Sequence, residues 1–187
     1  MKRHAILIAI LAAAISLPAI AAEVGSAKLA DKATVGGQEL VLNGAGIRTR
    51  LIVKVYVGSL YLPAKATSLE AVLAKAPRRI QLNLLRSLSA DTLVEALVDG
   101  LKSANTPADV DAVKAQTAQL ESIMKAFGEV KEGDVVTLDF VDGATKIGLN
   151  GTAKDAIPGE AFNKALTKIW VGDKPVQDDL KRAMLGG

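Results

Sequence analysis

The chain contains no cysteine and a single histidine, His4. Without cysteine, no disulfide can stabilise the fold, even in a compartment that permits disulfides. Since His4 lies in a predicted signal peptide, we expect the mature chain to contain no histidine. This excludes Ser-His-Asp and Cys-His catalysis and metal sites with histidine ligands. We therefore expect no metal and no cofactor, and any chemistry must use Arg, Lys, Tyr, carboxylates or hydroxyls.

Long apolar runs are also absent, apart from one at the N-terminus. Three basic residues at positions 2–4 precede the apolar stretch 5–17, and small residues follow it. This order predicts a secretory signal peptide over residues 1–22, cleaved near Ala21 or Ala22. The stretch is too short for an ordinary membrane span, and no later segment replaces it. A short, alanine-rich signal is typical of bacteria, so we expect export to the periplasm and no integral membrane segment in the mature protein.

The mature chain is nearly neutral. Removal of residues 1–22 leaves 165 residues with 21 Lys and Arg against 20 Asp and Glu, a net charge of +1. That length is sufficient for one domain with a real core, over residues 23–187. Because the basicity is so small, the sequence offers little support for a nucleic-acid partner, and we expect none.

The pattern of apolar residues predicts strands, then helices, a hairpin and further helices. A polar arm, residues 23–37, precedes a strand over 38–43, and alternation resumes after position 46. There Leu51, Val53, Val55 and Val57 share one face, while Ile52, Lys54 and Tyr56 share the other. Further strands are predicted over 78–86 and 135–141, followed by a hairpin at 142–143.

Apolar residues at three- and four-residue spacings predict the helices. Ser68 and Ser89 are suitable N-caps, the second for a helix reaching about Ala104. Thr106, followed by Pro107 and an acid at the third helical position, opens a helix that extends to about residue 127. Helices over 158–170 and 178–185 complete the chain. Because no βαβα rhythm occurs, we predict an α+β fold with a mainly antiparallel sheet and helices stacked on one side.

The stretch Gly44-Ala45-Gly46, with Arg48 and Arg50 after it, allows two interpretations. A phosphate cradle with the arginines as clamps would need a third glycine and a following helix, or a Gly-Lys-Ser/Thr sequence, and both are missing. We therefore expect a tight turn in which the glycines supply positive φ between two strands. That explains the glycines but leaves the role of the arginines open.

Three segments carry a family resemblance: LVLNGAGIRTRLIVKVYVGSLYL, GTAKDAIPGEAFNKAL and WVGDKPVQDDLKRAML. Together they resemble the bacterial, exported branch of the chalcone isomerase-like family, over roughly Gln38 to Leu185. The resemblance implies an open-faced β-sandwich layered with helices. It also implies a cleft between sheet and helices that takes a flavonoid or a fatty-acid-like ligand.

The resemblance assigns a role to Arg48, which matches the arginine of the family's Gly-Ala-Gly-x-Arg motif. In the enzymes of the family, which close a phenolate onto an α,β-unsaturated ketone, this arginine serves catalysis, and members that bind fatty acids without catalysis keep it. A strand threonine of the enzymes corresponds to Tyr56, and a Ser or Thr before the glycine at Gly172 corresponds to Ile169. The enzymes also use a tyrosine and an asparagine from the helical region, but residues 90–126 of this chain contain no tyrosine, and Asn105 is their only asparagine. Most of the enzymes' hydroxyl network is therefore missing.

We consider two main hypotheses for the function of this protein. The preferred one is non-catalytic binding of a small amphipathic carboxylate, with Arg48, Tyr56 and Arg50 at its head group. Its tail would lie in an apolar lining of the cleft, formed by Leu93, Leu97, Leu101, Leu120 and Ile169. The alternative is an isomerase, an intramolecular lyase acting on an enone or phenolic substrate through Arg48 and Tyr56. A surface around Trp170 that docks an unknown protein partner is a third interpretation, beside a core position for this side chain.

Overall fold

The computed structural model describes residues 20–74 and 76–187. These residues form eleven strands: β1 (Ile20–Val24), β2 (Ala27–Ala30), β3 (Lys32–Val35), β4 (Gln38–Arg50), β5 (Val53–Leu62), β6 (Arg78–Leu84), β7 (Leu88–Ser89), β8 (Glu129–Val130), β9 (Val135–Val141), β10 (Ala144–Leu149) and β11 (Thr152–Pro158). They also form six helices: α1 (Leu69–Leu73), α2 (Ala90–Ala104), α3 (Pro107–Ala112), α4 (Lys114–Lys125), α5 (Glu160–Val171) and α6 (Asp178–Met184).

A seven-stranded antiparallel sheet, ordered β11-β10-β9-β6-β5-β4-β3, forms the centre of the fold. Strands β6 and β9 are neighbours in the sheet, although α2, α3 and α4 lie between them in the chain. The predicted α+β architecture, an antiparallel sheet layered with helices, is therefore confirmed. Among the described residues, no helix combines the length and apolarity needed to cross a membrane.

The main core lies between the sheet and the helices. Helix α2 packs against α4 and α5, because its buried residues recur at three- and four-residue spacings along one face. The opposite face of β5 is also covered: Val57 packs with Ala27 and Leu29 of the β1–β2 ribbon. From Tyr56 to Leu62, β5 is therefore buried on both faces, which explains its largely apolar character.

The N-terminal part of the domain contains more strand than predicted. The polar arm 23–37 contains the end of β1 and all of β2 and β3, which were not expected, because their short segments alternate too weakly to be recognised. Most of the predicted signal peptide, residues 1–19, lies outside the described residues. Positions 20–22 belong to β1 and pair with β2.

The predicted turn at Gly44-Ala45-Gly46 is wrong. These residues lie inside the continuous strand β4, and neither glycine has a positive φ. The chain reverses instead at Leu51 and Ile52, between the paired residues Arg50 and Val53. Leu51 has a φ of 57°. Consequently the predicted apolar face through Leu51, Val53, Val55 and Val57 does not exist, since its first two members are exposed.

The helix predicted from Thr106 to about residue 127 is divided into α3 and α4. The break falls at Val113, whose backbone (φ −113°, ψ 15°) is not helical. The predicted start is confirmed: the Thr106 side chain accepts a bond from the Asp109 backbone N–H, and the Asp109 side chain accepts one in return. Local capping signals were thus sufficient to place the beginning of the helix but not its interruption.

Candidate functional site

The glycines of β4 form a smooth surface under helix α6. A Cβ added to Gly44 would collide with the backbone carbonyl oxygens of Ala183 and Met184, the latter at 2.9 Å. A Cβ at Gly46 would lie 2.8 Å from the Ala183 side chain. The Gly-Ala-Gly sequence therefore permits the close approach of a helix to a strand, instead of supplying a turn.

Asn43 connects the C-terminal end of α6 to the sheet through hydrogen bonds. Its side-chain amide donates to the carbonyl oxygens of Met184 at 2.7 Å and Ala66 at 2.9 Å, and its Oδ1 accepts from the Ala66 backbone N–H at 2.8 Å. Asn43 is buried, so each of these bonds satisfies a group that water cannot reach. The position of α6 beside Arg48 is thereby fixed at its C-terminal end.

Arg48 lies half-buried near the start of α6, where Gln177 covers it. Its Nη1 donates to the Thr49 carbonyl oxygen at 2.6 Å and to Gln177 Oε1 at 3.2 Å. The same Oε1 accepts from the Thr49 backbone N–H at 2.9 Å, and Gln177 Nε2 donates to the Ile47 carbonyl oxygen at 3.1 Å. Within the described part of the chain, no carboxylate lies at ion-pair distance from Arg48. All of its acceptors are neutral.

Tyr56 is the cross-strand partner of Arg48 on β5. Its hydroxyl accepts a hydrogen bond from Trp170 Nε1 at 3.0 Å, and both rings are buried. Burial raises the pKa of Tyr56, while the bond from Trp170 and the nearby charge of Arg48 oppose that shift. The phenol is therefore neutral at ordinary pH, and its proton is available to a hydrogen-bond acceptor.

The predicted apolar lining is packed into the main core. Leu93, Leu97, Leu101, Leu120 and Ile169 are at most 3% exposed and belong to one cluster of buried side chains. An empty space large enough for water beside them would leave part of their surface accessible. In this structure, the space between sheet and helices at these residues is therefore filled by side chains.

Three further residues singled out in the sequence can be compared with the structure. Arg50 is exposed, outside the cluster formed by Arg48 and Tyr56. Trp170 is fully buried, so the interpretation that it forms a docking surface is wrong and the core position is correct. Asn105 lies after α2 and donates to the Leu101 and Ala165 carbonyl oxygens. Among the described residues, no hydrogen bond joins it to Arg48.

Sequence reasoning missed two features of this site: the presence of Gln177, and the hydrogen bond from Trp170 to Tyr56. Each of these two residues lies more than 110 positions from its partner on β4 or β5. No local pattern signals such contacts.

Other surfaces of the described residues offer weaker candidates. An open hollow of about 520 Å³ lies between the β1–β2 ribbon and β4, lined in part by Asp31, Lys32 and Lys65, and neither Arg48 nor Tyr56 lines it. No group of three or more acidic residues or histidines that could hold a metal occurs in the described ranges. The cluster of Arg48, Tyr56, Trp170 and Gln177 is therefore the stronger candidate.

An antiparallel sheet with helices on one face, and an arginine paired with a tyrosine beneath them, defines a small α+β domain with a candidate anion site. A model of the chalcone isomerase-like family matches residues 21–186, so the chain belongs to that family. Its fold is similar to that of a fatty-acid-binding protein from Arabidopsis thaliana, with a TM-score of 0.65 at 13% identity, over 86% of this chain and 92% of that one. A search of curated protein sequences finds no match.

Proposed function

We propose that this protein binds a small amphipathic carboxylate, such as a fatty acid, without catalysis, and that Arg48 anchors the acidic head. The observation that carries the proposal is a half-buried guanidinium whose acceptors are all neutral. Partial burial strengthens its attraction for an anion, and the planar guanidinium suits a carboxylate. Tyr56, a neutral phenol on the neighbouring strand, supplies a second donor.

Binding requires the head group to replace Gln177 at Arg48. The Nη1–Oε1 distance of 3.2 Å indicates a modest bond between a cation and a neutral amide. The bond from Arg48 to Gln177 has one charged partner, whereas a bond to a carboxylate has two and can be bidentate. Exchange of Gln177 for the ligand is therefore favourable at the head group.

The tail requires the helical layer to open, because the residues proposed to line its path are packed together in the main core. These residues are Leu93, Leu97, Leu101, Leu120 and Ile169. Helix α6, whose N-cap residue covers Arg48, is less costly to displace than α2, since it buries Leu180 and Met184, whereas α2 buries five side chains. Exposing two such residues costs about 3–6 kcal/mol, and burying about eight methylenes gains a similar amount. A medium or long acyl chain can therefore offset the opening.

Family membership supports this proposal. The similar Arabidopsis thaliana structure is described as a fatty-acid-binding protein. Its fold covers nearly the whole of this domain, and it shows that an architecture of this kind is compatible with an acyl ligand. The choice of Arg48 as the anchor rests on its geometry in this chain.

A titration with a fatty acid tests the proposal, with the alcohol of the same chain length as the ligand control. We expect the wild type to bind the acid at least about tenfold more tightly than the alcohol, because only the acid pairs with Arg48. Arg48→Gln should abolish that preference, whereas Arg86→Gln, at an exposed arginine just after β6, should keep it. Equal affinities of the wild type for acid and alcohol would refute the anchor.

Native mass spectrometry of protein extracted from cells tests the ligand class. We expect a bound carboxylic acid in the wild type and its loss in Arg48→Gln. Protein that is empty in every preparation would contradict the proposal. Circular dichroism of both variants must show that the fold persists.

The proposal includes export to the periplasm through the N-terminal segment 1–22. The family match begins at residue 21, which leaves the basic and apolar start outside the family domain. Cell fractionation and the N-terminal sequence of the mature protein test this. Full-length protein confined to the cytoplasm would contradict it.

An isomerase acting on an enone or phenolic compound is the second candidate. The observation that favours it is a neutral phenol beside a guanidinium, since two such donors stabilise a developing enolate. A chalcone-to-flavanone absorbance assay tests it directly, with Arg48→Gln as the control. A rate equal to the uncatalysed one removes the flavonoid reaction.

A further inference from the structure

The tip of the β4–β5 hairpin, residues 50–54, exposes aliphatic side chains to solvent. Leu51 is 95% exposed, Ile52 94% and Val53 38%, and these are the large hydrophobic side chains that the described part of the chain leaves exposed. Single exposed aliphatic residues are common on soluble proteins, but three in succession at a projecting turn are not. The tip therefore requires an explanation beyond folding.

Local backbone preference does not supply that explanation. The hairpin loop has two residues, and Leu51 at its first position has a φ of 57°. Glycine, asparagine or aspartate normally occupies such a position, because a larger side chain strains the left-handed conformation. The tip thus carries a leucine where the backbone favours glycine and where no core needs it.

Both charged residues of the tip are basic. Arg50 and Lys54 are the first and last residues of the tip and are exposed, and the sequence contains no acidic residue between Glu39 and Glu70. Neither cation forms an ion pair with any other residue that the structure describes. The tip therefore combines a convex aliphatic end with two uncompensated positive charges.

We propose that this tip docks on the surface of a lipid bilayer that contains anionic lipids. Leu51, Ile52 and Val53 would enter the boundary between head groups and acyl chains, while Arg50 and Lys54 would extend to the phosphates. A bilayer accepts a convex apolar projection without a preformed groove. A second copy of the tip would instead present the same two positive charges, which repel.

This inference does not depend on ligand binding, although Arg48 lies only two residues from the tip. Docking would therefore bring the proposed head-group site close to the membrane surface. An apolar contact of three residues with two cations is expected to be reversible and to weaken as salt rises.

Vesicle flotation tests the proposal with the purified protein. We expect the wild type to bind vesicles of phosphatidylglycerol and phosphatidylcholine, but not vesicles of phosphatidylcholine alone. Leu51→Gly combined with Ile52→Ser should reduce the partition coefficient at least about tenfold, because it removes most of the exposed apolar surface. The thermal unfolding temperature should not fall, since glycine suits the turn.

A charge pair provides the matched control. Neutralising Arg50 and Lys54 to Gln should also reduce binding about tenfold, whereas neutralising Lys146 and Lys154, two exposed lysines on β10 and β11, should leave it within about twofold. Comparison of the wild type with the three double variants distinguishes an effect of the tip on vesicle binding from an effect of net charge.

Three results would overturn the inference. The first is wild-type protein that does not float with anionic vesicles, and the second is equal loss of binding in both charge pairs. The third is self-association without lipid that the Leu51 and Ile52 substitutions abolish, which would assign the tip to a protein contact. Because no fatty acid is added, failure here leaves the titration at Arg48 as a separate test.

Discussion

Replacing Gly44 by alanine tests whether the glycines of β4 exist for the approach of α6. The added methyl would lie 2.9 Å from the Met184 carbonyl oxygen and closer still to that of Ala183. Both are backbone atoms, so no side-chain rotation can relieve the contact. Helix α6 must therefore move away from the strand.

The cost follows from what α6 buries. Leu180 and Met184 are at most 1% exposed, and full exposure of both would cost about 3–6 kcal/mol. A partial retreat retains some of that burial, so we expect Gly44→Ala to lower the free energy of unfolding by about 3 kcal/mol. Asn43 would also lose its bond to the Met184 carbonyl oxygen.

Gly58→Ala is the matched control. Gly58 is on the neighbouring strand, and its added Cβ would meet only side-chain atoms, at 3.4–3.5 Å. Any general gain from replacing glycine in a strand is common to both variants, so the difference between them isolates the backbone collision. We expect Gly58→Ala to change stability by less than about 1 kcal/mol.

Urea unfolding measures both variants, and hydrogen exchange of the α6 amides locates the damage. Faster exchange in α6 of Gly44→Ala, with the amides of α2 still protected, would show local detachment of the helix. Equal stability of the two variants, with unchanged exchange in α6, would refute the proposed role of the glycines.

Three further predictions concern charges and titrating groups. Asp139→Asn should cost about 1.5–3 kcal/mol in urea unfolding, because it breaks a partly buried pair with Arg79 at 2.6 and 2.8 Å; a loss below about 0.5 kcal/mol would contradict this. Burial raises the pKa of Tyr56 and Tyr61, so the phenolate absorbance of the folded protein should appear at higher pH than that of the protein unfolded in urea. The free energy of unfolding should therefore fall as pH rises past 10.0, and coincident titrations of the folded and unfolded protein would refute this. Hydrogen bonds from a backbone N–H and an asparagine amide lower the pKa of Asp134 below 3.8; wild type should therefore lose unfolding temperature as pH falls through that lowered pKa, and Asp134→Asn should lose less over the same range.

Elements that depend on local signals could be predicted from the sequence. The start and stripe of α2 follow from the Ser89 cap and from leucines at three- and four-residue spacings. The capping box at Thr106 likewise placed the start of α3. The break at Val113 could not be foreseen, because no glycine or proline marks it.

The β4–β5 hairpin shows where local signals fail. Glycine serves both turns and close packing, and only the distant helix α6 shows which use applies at Gly44. The true turn at Leu51 and Ile52 contains none of the residues that usually signal one. The predicted alternation in this region was also wrong, because Leu51 lies in the turn and a β-bulge at Val55 shifts the register of β5 against β4.

The candidate site was only partly accessible to sequence reasoning. The resemblance singled out Arg48 and Tyr56, and the strand pairing places them side by side. Gln177 and Trp170 reach them from the C-terminal helices, through contacts that depend on the complete fold. The packing of the apolar lining is also a tertiary property, since an amphipathic stripe has the same spacing whether it lines a cavity or fills a core.

The bond between Trp170 and Tyr56 also gives the protein an optical reporter. Trp170 is the chain's one tryptophan, so the indole fluorescence of the unlabelled protein comes from this position alone. In the closed arrangement the ring is shielded from water, which favours emission at short wavelength. Separation of the helical layer from the sheet would admit water to the indole and shift its emission to the red.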